Sequence, residues 1–135
     1  MSNIIQKIKG IPNLYHMKGC TTKDIKDAQE ILSLTFPEEY VDYVKEFGAI
    51  SFYGTEWTGL GMSGYLNVVE TTKQERELNP NFPTDCLVIE NQRIDGLLTV
   101  MGEDGKIYLL QYNKAELLCN SLSEYLDICI ARKAR

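Results

Sequence analysis

Four kinds of residue in this chain have types and spacings that could do chemistry: a glycine-rich run, one histidine, several carboxylate pairs and four cysteines. The run GLGMSG at 59–64 has the G-x-G-x-x-G spacing that lets a backbone approach a pyrophosphate. Dinucleotide binding also needs a helix opening on those glycines inside a parallel βαβ unit. The downstream sequence reads as antiparallel, so a flexible loop is expected instead. His16, in PNLYHMKG, has no acidic neighbour in sequence and no H-x-x-x-H spacing, so it is expected to be a spectator rather than a triad member or a metal ligand. Glu38–Glu39, Glu75–Glu77 and Glu103–Asp104 read as helix-end, surface and turn charges, not as a tuned acid–base dyad. Cys20, Cys86, Cys119 and Cys129 are far apart, without a C-x-x-C pair, and lie among apolar residues as in CLVIE and DICIA. They are expected to be buried, reduced thiols rather than zinc ligands or disulfide partners. No catalytic residue, cofactor-binding residue or metal ligand emerges.

Two other stretches suit binding better than catalysis. FYGTEWTGL gathers Phe52, Tyr53, Glu56 and the single tryptophan, Trp57. Aromatic residues on a loop are typical anchors of protein interfaces; the bland alternative is that Trp57 packs over a sheet. NQRID at 91–95 is a polar turn holding Arg93 and Asp95 beside Gly96. Charge is unevenly spread: the 135-residue chain has a net charge of −5, yet residues 27–104 carry 15 acidic and 4 basic side chains between mildly basic ends. That distribution disfavours nucleic acid, which needs a positive footprint, and favours a basic partner. Glu90, Glu103 and Asp104 join Glu56 and Asp95 as the expected charged surround of a contact anchored on Trp57.

The elements that must position these residues follow from periodicity and punctuation. Ile4, Ile5 and Ile8 mark a short helix over 2–9. Thr21-x-x-Asp24 has capping-box spacing ahead of Ile25, Ala28, Ile31 and Leu32, and Pro37 opens a helix whose inner face is Tyr40, Val44 and Phe47, widened by Val41 and Tyr43. Gly48 is expected to stop that helix as a left-handed cap, with AISFYG as the strand after it. A polar helix over 67–78 precedes strands at 86–90, 96–100, 106–112 and 115–119, with a hairpin turn at Asp104-Gly105. Ser121-x-x-Glu124 opens a last helix, facing Leu122, Tyr125, Leu126 and Cys129 inward, with Arg132, Lys133 and Arg135 at its C-terminal dipole. Helices, then hairpin-connected strands, then a helix predict an α+β fold: a central, mainly antiparallel sheet with helices packed on it, in one domain over 1–135. The N-terminus lacks the apolar run of a signal peptide and no segment approaches the ~20 apolar residues of a membrane span, so no membrane association and a cytoplasmic location are expected.

LTFPEEYVDYVKEFGAISFYGTEWTGL, then NVV, CLVIENQRIDGLLTV, GEDGKIYLL and SLSEYL, together resemble the SUKH superfamily of bacterial immunity proteins and eukaryotic cell-wall regulators. The likeness runs from about residue 22 to 131 and rests on the order and spacing of these pieces. It implies a compact α+β domain without catalytic residues. It also implies a cytoplasmic immunity protein that binds and neutralises a toxin, often a nuclease, and the acidic middle segment adds the expectation of a basic cleft on that toxin. The alternative class is an intracellular regulatory scaffold; a third reading is an enzyme acting on a small molecule.

Overall fold

The computed structural model describes residues 3–132; Ser2, Lys133 and Arg135, which enter the readings of the first and last helices, lie outside them. Among the described residues, five helices and seven strands follow in the order α1 (Ile4–Lys9), β1 (Tyr15–His16), α2 (Thr22–Leu32), α3 (Glu38–Phe47), β2 (Ile50–Phe52), β3 (Thr55–Trp57), α4 (Val68–Leu78), β4 (Cys86–Asn91), β5 (Leu97–Gly102), β6 (Ile107–Gln111), β7 (Lys114–Cys119) and α5 (Leu122–Arg132). The α+β class stands. The strands form two antiparallel sheets, β1-β2-β3 and β4-β5-β6-β7, rather than one.

Thr58, just past β3, joins the two sheets. Its N–H donates to the Ile89 carbonyl (2.8 Å) and its hydroxyl donates to the Val88 carbonyl (2.7 Å). That hydroxyl proton is spent on Val88, so the Tyr40 hydroxyl is the donor in the 3.0 Å bond to Thr58 Oγ1. Tyr43 Oη donates to the Thr58 carbonyl at 2.7 Å. Two α3 tyrosines thus fix the seam from the helix side.

The helix ends follow their local chemistry with two departures. Thr21 and Asp24 form the expected capping box on α2. Ser121 Oγ accepts from the Glu124 N–H, and α5 gains a second cap from outside: the Glu39 carboxylate accepts from Leu122 N–H (2.8 Å) and Ser123 N–H (3.2 Å). A carboxylate from the first turn of α3 therefore satisfies orphan donors at the positive end of another helix. Gly48 does have a positive φ, but it is not a left-handed cap. With φ 73°, ψ −67° and an Ala49 N–H bond to the Phe47 carbonyl (2.8 Å), it centres a γ-turn. A Cβ there would sit 2.3 Å from the Lys18 carbonyl oxygen. Three chain segments cross at this glycine, and no side chain fits between them.

The main core lies between α1, α2, α3 and α5 and one face of β4–β6, with Tyr40, Tyr43, Trp57, Leu87, Met101 and Tyr125 at its centre. A smaller core of Phe82, Cys86, Val88, Leu98, Val100 and Leu110 occupies the opposite face. Strand alternation divides the residues between the two. β4 breaks that alternation: Val88 pairs with Val100 but Glu90 pairs with Thr99, so Ile89 is an extra, bulged residue. The bulge turns Glu90 onto the face that α5 covers.

Candidate functional site: the hairpin end of the sheets

FYGTEW is a tight hairpin and not a loop. Phe52 pairs with Thr55 across Tyr53-Gly54, both at positive φ (49° and 83°), the pattern of a type I′ turn. Trp57 therefore lies in β3 and is 0% exposed, stacked on Tyr125 (5.8 Å) and edge-on to Tyr43 (5.4 Å). The expectation of an exposed aromatic anchor is corrected here: alternation in a strand sends Trp57 inward, and the bland reading holds. Glu90 is likewise no surface charge, being 5% exposed. Its carboxylate accepts from Tyr125 Oη and from Arg132 Nη2 (3.0 Å), while Arg132 also reaches Gln92 Oε1 (2.8 Å). Burial first, then the neighbouring Cys129 and Glu90, pushes the Tyr125 hydroxyl well above its ordinary range, so it remains a donor.

Three hairpin turns meet at one end of the molecule: Tyr53-Gly54, residues 92–96 and Tyr112-Asn113. The loop carrying GLGMSG closes on itself through Gly59 N–H to Leu66 O (2.7 Å) and Val68 N–H to Gly59 O (2.9 Å), and it brings Tyr65 to the same end. The glycines make a loop, as expected, with no helix opening on them. Tyr65 Oη donates to Glu56 Oε2 (2.9 Å), Arg93 Nη2 reaches Glu56 Oε1 (3.4 Å), and the Arg93 guanidinium lies over the Tyr65 ring at 5.1 Å. On the neighbouring turn Tyr112 Oη donates to Asp95 Oδ1 at 2.7 Å.

These contacts leave apolar surface in the open. Tyr53 is 40% exposed, Tyr65 61%, Ile94 62% and Tyr112 61%. Four of the six non-glycine residues with positive φ among the described residues, Tyr53, Arg93, Asp95 and Tyr112, sit on these turns. Such conformations cost about 1–3 kcal/mol each and persist where surrounding structure holds them, commonly at sites of function. A cleft of about 280 Å³ between the first two turns is lined by Tyr53, Glu56, Asn91, Gln92, Arg93 and Arg132. The arrangement can bind: it offers rigid aromatic area, paired charge and few rotamers to freeze.

Of the six sequence-selected residues, Glu56 and Asp95 meet at this end, and Glu90 lies beneath it. Glu103 and Asp104 do not join them. They occupy the β5–β6 turn at the opposite end, where Glu103 Oε2 accepts from Thr35 N–H (2.6 Å) and Asp104 accepts from Lys106 N–H (2.9 Å) and Tyr108 Oη (2.8 Å). Sequence reading missed Tyr65, which sits in the glycine-rich loop beside Leu66, and Ile94 and Tyr112, each flanked by polar residues; the Asp95-Gly96 turn was the available signal.

His16 lies in edge strand β1, with Nδ1 bonded to the Met17 carbonyl (2.8 Å) and its ring edge-on to Phe47. Among the described residues, no group of three or more His, Cys, Asp or Glu is placed to hold a metal. No described helix is long and apolar enough to cross a membrane.

A family model for the SMI1-KNR4 cell-wall group of SUKH domains matches residues 1–130. The chain belongs to the SUKH superfamily. A search of curated proteins returned no match. SUKH proteins are in general non-enzymatic immunity or regulatory proteins, which suggests a protein as the partner of this SUKH domain.

Proposed function

We propose that this SUKH protein, acting in the cytoplasm as a single binding domain over residues 1–135, is an immunity protein that neutralises a polymorphic toxin by occluding its active site. The observation that carries this reading is the hairpin end. It sets four exposed apolar side chains, Tyr53, Tyr65, Ile94 and Tyr112, around the Glu56–Arg93 pair on a rigid sheet scaffold. Aromatic anchors with a polar surround are the anatomy of a hot-spot cluster. The acidic residues 27–104 fit a basic cleft, as in a nuclease, and would speed encounter with it.

The test is co-expression with the toxin encoded beside its gene. Wild-type protein is expected to restore growth and to co-purify with the toxin at equal stoichiometry. Ile94→Asp, which places a charge on an exposed apolar position, is expected to abolish both while leaving the melting temperature unchanged. Neither rescue nor complex formation with the wild type would overturn the immunity reading in favour of a regulatory scaffold.

A further inference from the structure

We propose that a groove behind the hairpin end, between the last turn of α4 and the β5–β6 face, is a second arm of the binding surface. It would accept an apolar side chain flanked by lysine or arginine from a protein partner. The inference rests on the reading of this protein as a binder of proteins.

The groove has a volume of about 460 Å³ and is lined by Glu75, Leu78, Leu98, Leu110, Tyr112 and Asn113 among others. It exists because α4 stops early. The helix covers β4, ends at Leu78, and is pinned there by Asn79 Nδ2 donating to the Tyr112 carbonyl (2.6 Å). Beyond that pin, among the described residues, the outer face of β5–β7 has no helix over it. Leu98 and Leu110, from the smaller core, form the floor. Leu78 stands 69% exposed on the wall opposite Tyr112.

Glu75 gives the groove its sign. Its carboxylate is partly buried in the wall, and burial raises its pKa above the ordinary range. Its neighbours one helical turn away are Thr71, Thr72, Leu78 and Asn79, none of them a cation. No ion pair reaches it among the described residues, and the groove's lining contains no lysine or arginine. A half-desolvated carboxylate beside an apolar slot is complementary to a cation carried next to an apolar side chain. Such a cation would recover the solvation that Glu75 has lost.

The groove is continuous with the hairpin end. Gly96 lines it, and Tyr112 belongs to both, through its ring on the groove wall and its hydroxyl on Asp95. A partner seated on Tyr53, Tyr65 and Ile94 can therefore extend a segment around Tyr112 into the slot. A second copy of this chain fits poorly, because a two-fold contact sets this patch against itself and so brings the carboxylates of one copy against a groove that holds Glu75 and no lysine or arginine.

The experiment is selection of a phage-displayed random dodecapeptide library on the immobilised full chain, followed by binding of the selected peptides as synthetic molecules. The expected consensus is an aromatic or branched aliphatic residue adjacent to lysine or arginine. On the wild-type protein, amide shift changes are expected at Leu98, Leu110 and Tyr112. Glu75→Lys is expected to weaken binding about tenfold or more, and Leu78→Asp to abolish it. Absence of a consensus, an acidic consensus, shift changes elsewhere, or affinity unchanged in Glu75→Lys would each overturn the proposal. So would self-association that Leu78→Asp abolishes, since a second copy would then be the occupant. Peptide selectivity is read without any toxin, so its failure leaves the co-expression result standing, and the reverse also holds.

Discussion

Arg132, the last described residue of α5, holds the buried carboxylate of Glu90 on β4 at 3.0 Å. The same guanidinium reaches Gln92 and, at 3.3 Å, Thr55 Oγ1 on β3. One side chain thus ties the C-terminal helix to both sheets directly below the hairpin end. Removing the cation leaves a carboxylate that is 6% exposed without its charge partner. Arg132→Ala is expected to cost about 2–3 kcal/mol, below the usual figure for a broken buried pair because Arg132 itself is partly solvated. Glu90→Gln, which keeps hydrogen bonding but drops the charge, should cost less. Urea denaturation of both single variants and the double variant checks this through the coupling energy; additive losses would show that the pair is not a unit.

Gly48 tests the crossing point. Alanine there meets both the γ-turn's positive φ and the Lys18 carbonyl 2.3 Å from the new Cβ, so Gly48→Ala is expected to cost about 3 kcal/mol or more. Gly61 has φ 100° but no atom nearer than 3.7 Å, and Gly61→Ala should cost about 1–2 kcal/mol from backbone strain alone. Equal losses in the two melting curves would show that the close approach relaxes.

The thiols set a limit at high pH. All four cysteines are free; Cys20, Cys86 and Cys129 are buried and Cys119 is half-buried. Burial, aided by Asp24 and Asp85 respectively, pushes the Cys20 thiol up to about 11 and Cys86 to about 12, and burial likewise raises Cys129 to about 11. A raised folded pKa means the unfolded chain loses its proton first. The stabilisation is therefore complete below pH 9.0 and declines as pH rises through about 11–12. The urea midpoint should fall above pH 9.0, and less so in Cys86→Ala. At neutral pH reductant should leave the melting temperature unchanged, and a thiol reagent should label Cys119 first.

Binding kinetics should separate anchors from charges. With the cognate toxin, the association rate is expected to fall steeply as salt rises while the dissociation rate changes little. Ile94→Asp and Tyr53→Ala are expected to raise the dissociation rate, whereas neutralising carboxylates outside the contact should slow association. Trp57→Ala belongs to neither class. It empties a site that is 0% exposed and should cost about 3–5 kcal/mol of stability, seen as a lowered melting temperature whether or not toxin is present.

The sequence by itself determined the elements whose causes are local. Thr21 and Asp24 cap α2, Asn67 opens α4, and the 3.6-residue recurrence of Tyr40, Val44 and Phe47 makes the inner face of α3. The β5–β6 turn at Asp104-Gly105 was legible for the same reason, because a dipeptide's backbone preference acts within its own neighbourhood. The tertiary structure alone decided which groups far apart in the chain meet. Glu39 caps a helix that begins 83 residues later, and Thr58 joins two sheets that no periodicity connects. Glu90 faces inward because one bulged residue at Ile89 reversed its face, a step that strict alternation cannot anticipate. Trp57 could be read as anchor or as core until its hairpin partner Ile50 fixed which side of β3 it faces. Glu56 and Asp95 became one site, and Glu103 and Asp104 another, because antiparallel strands send alternate turns to opposite ends of a sheet.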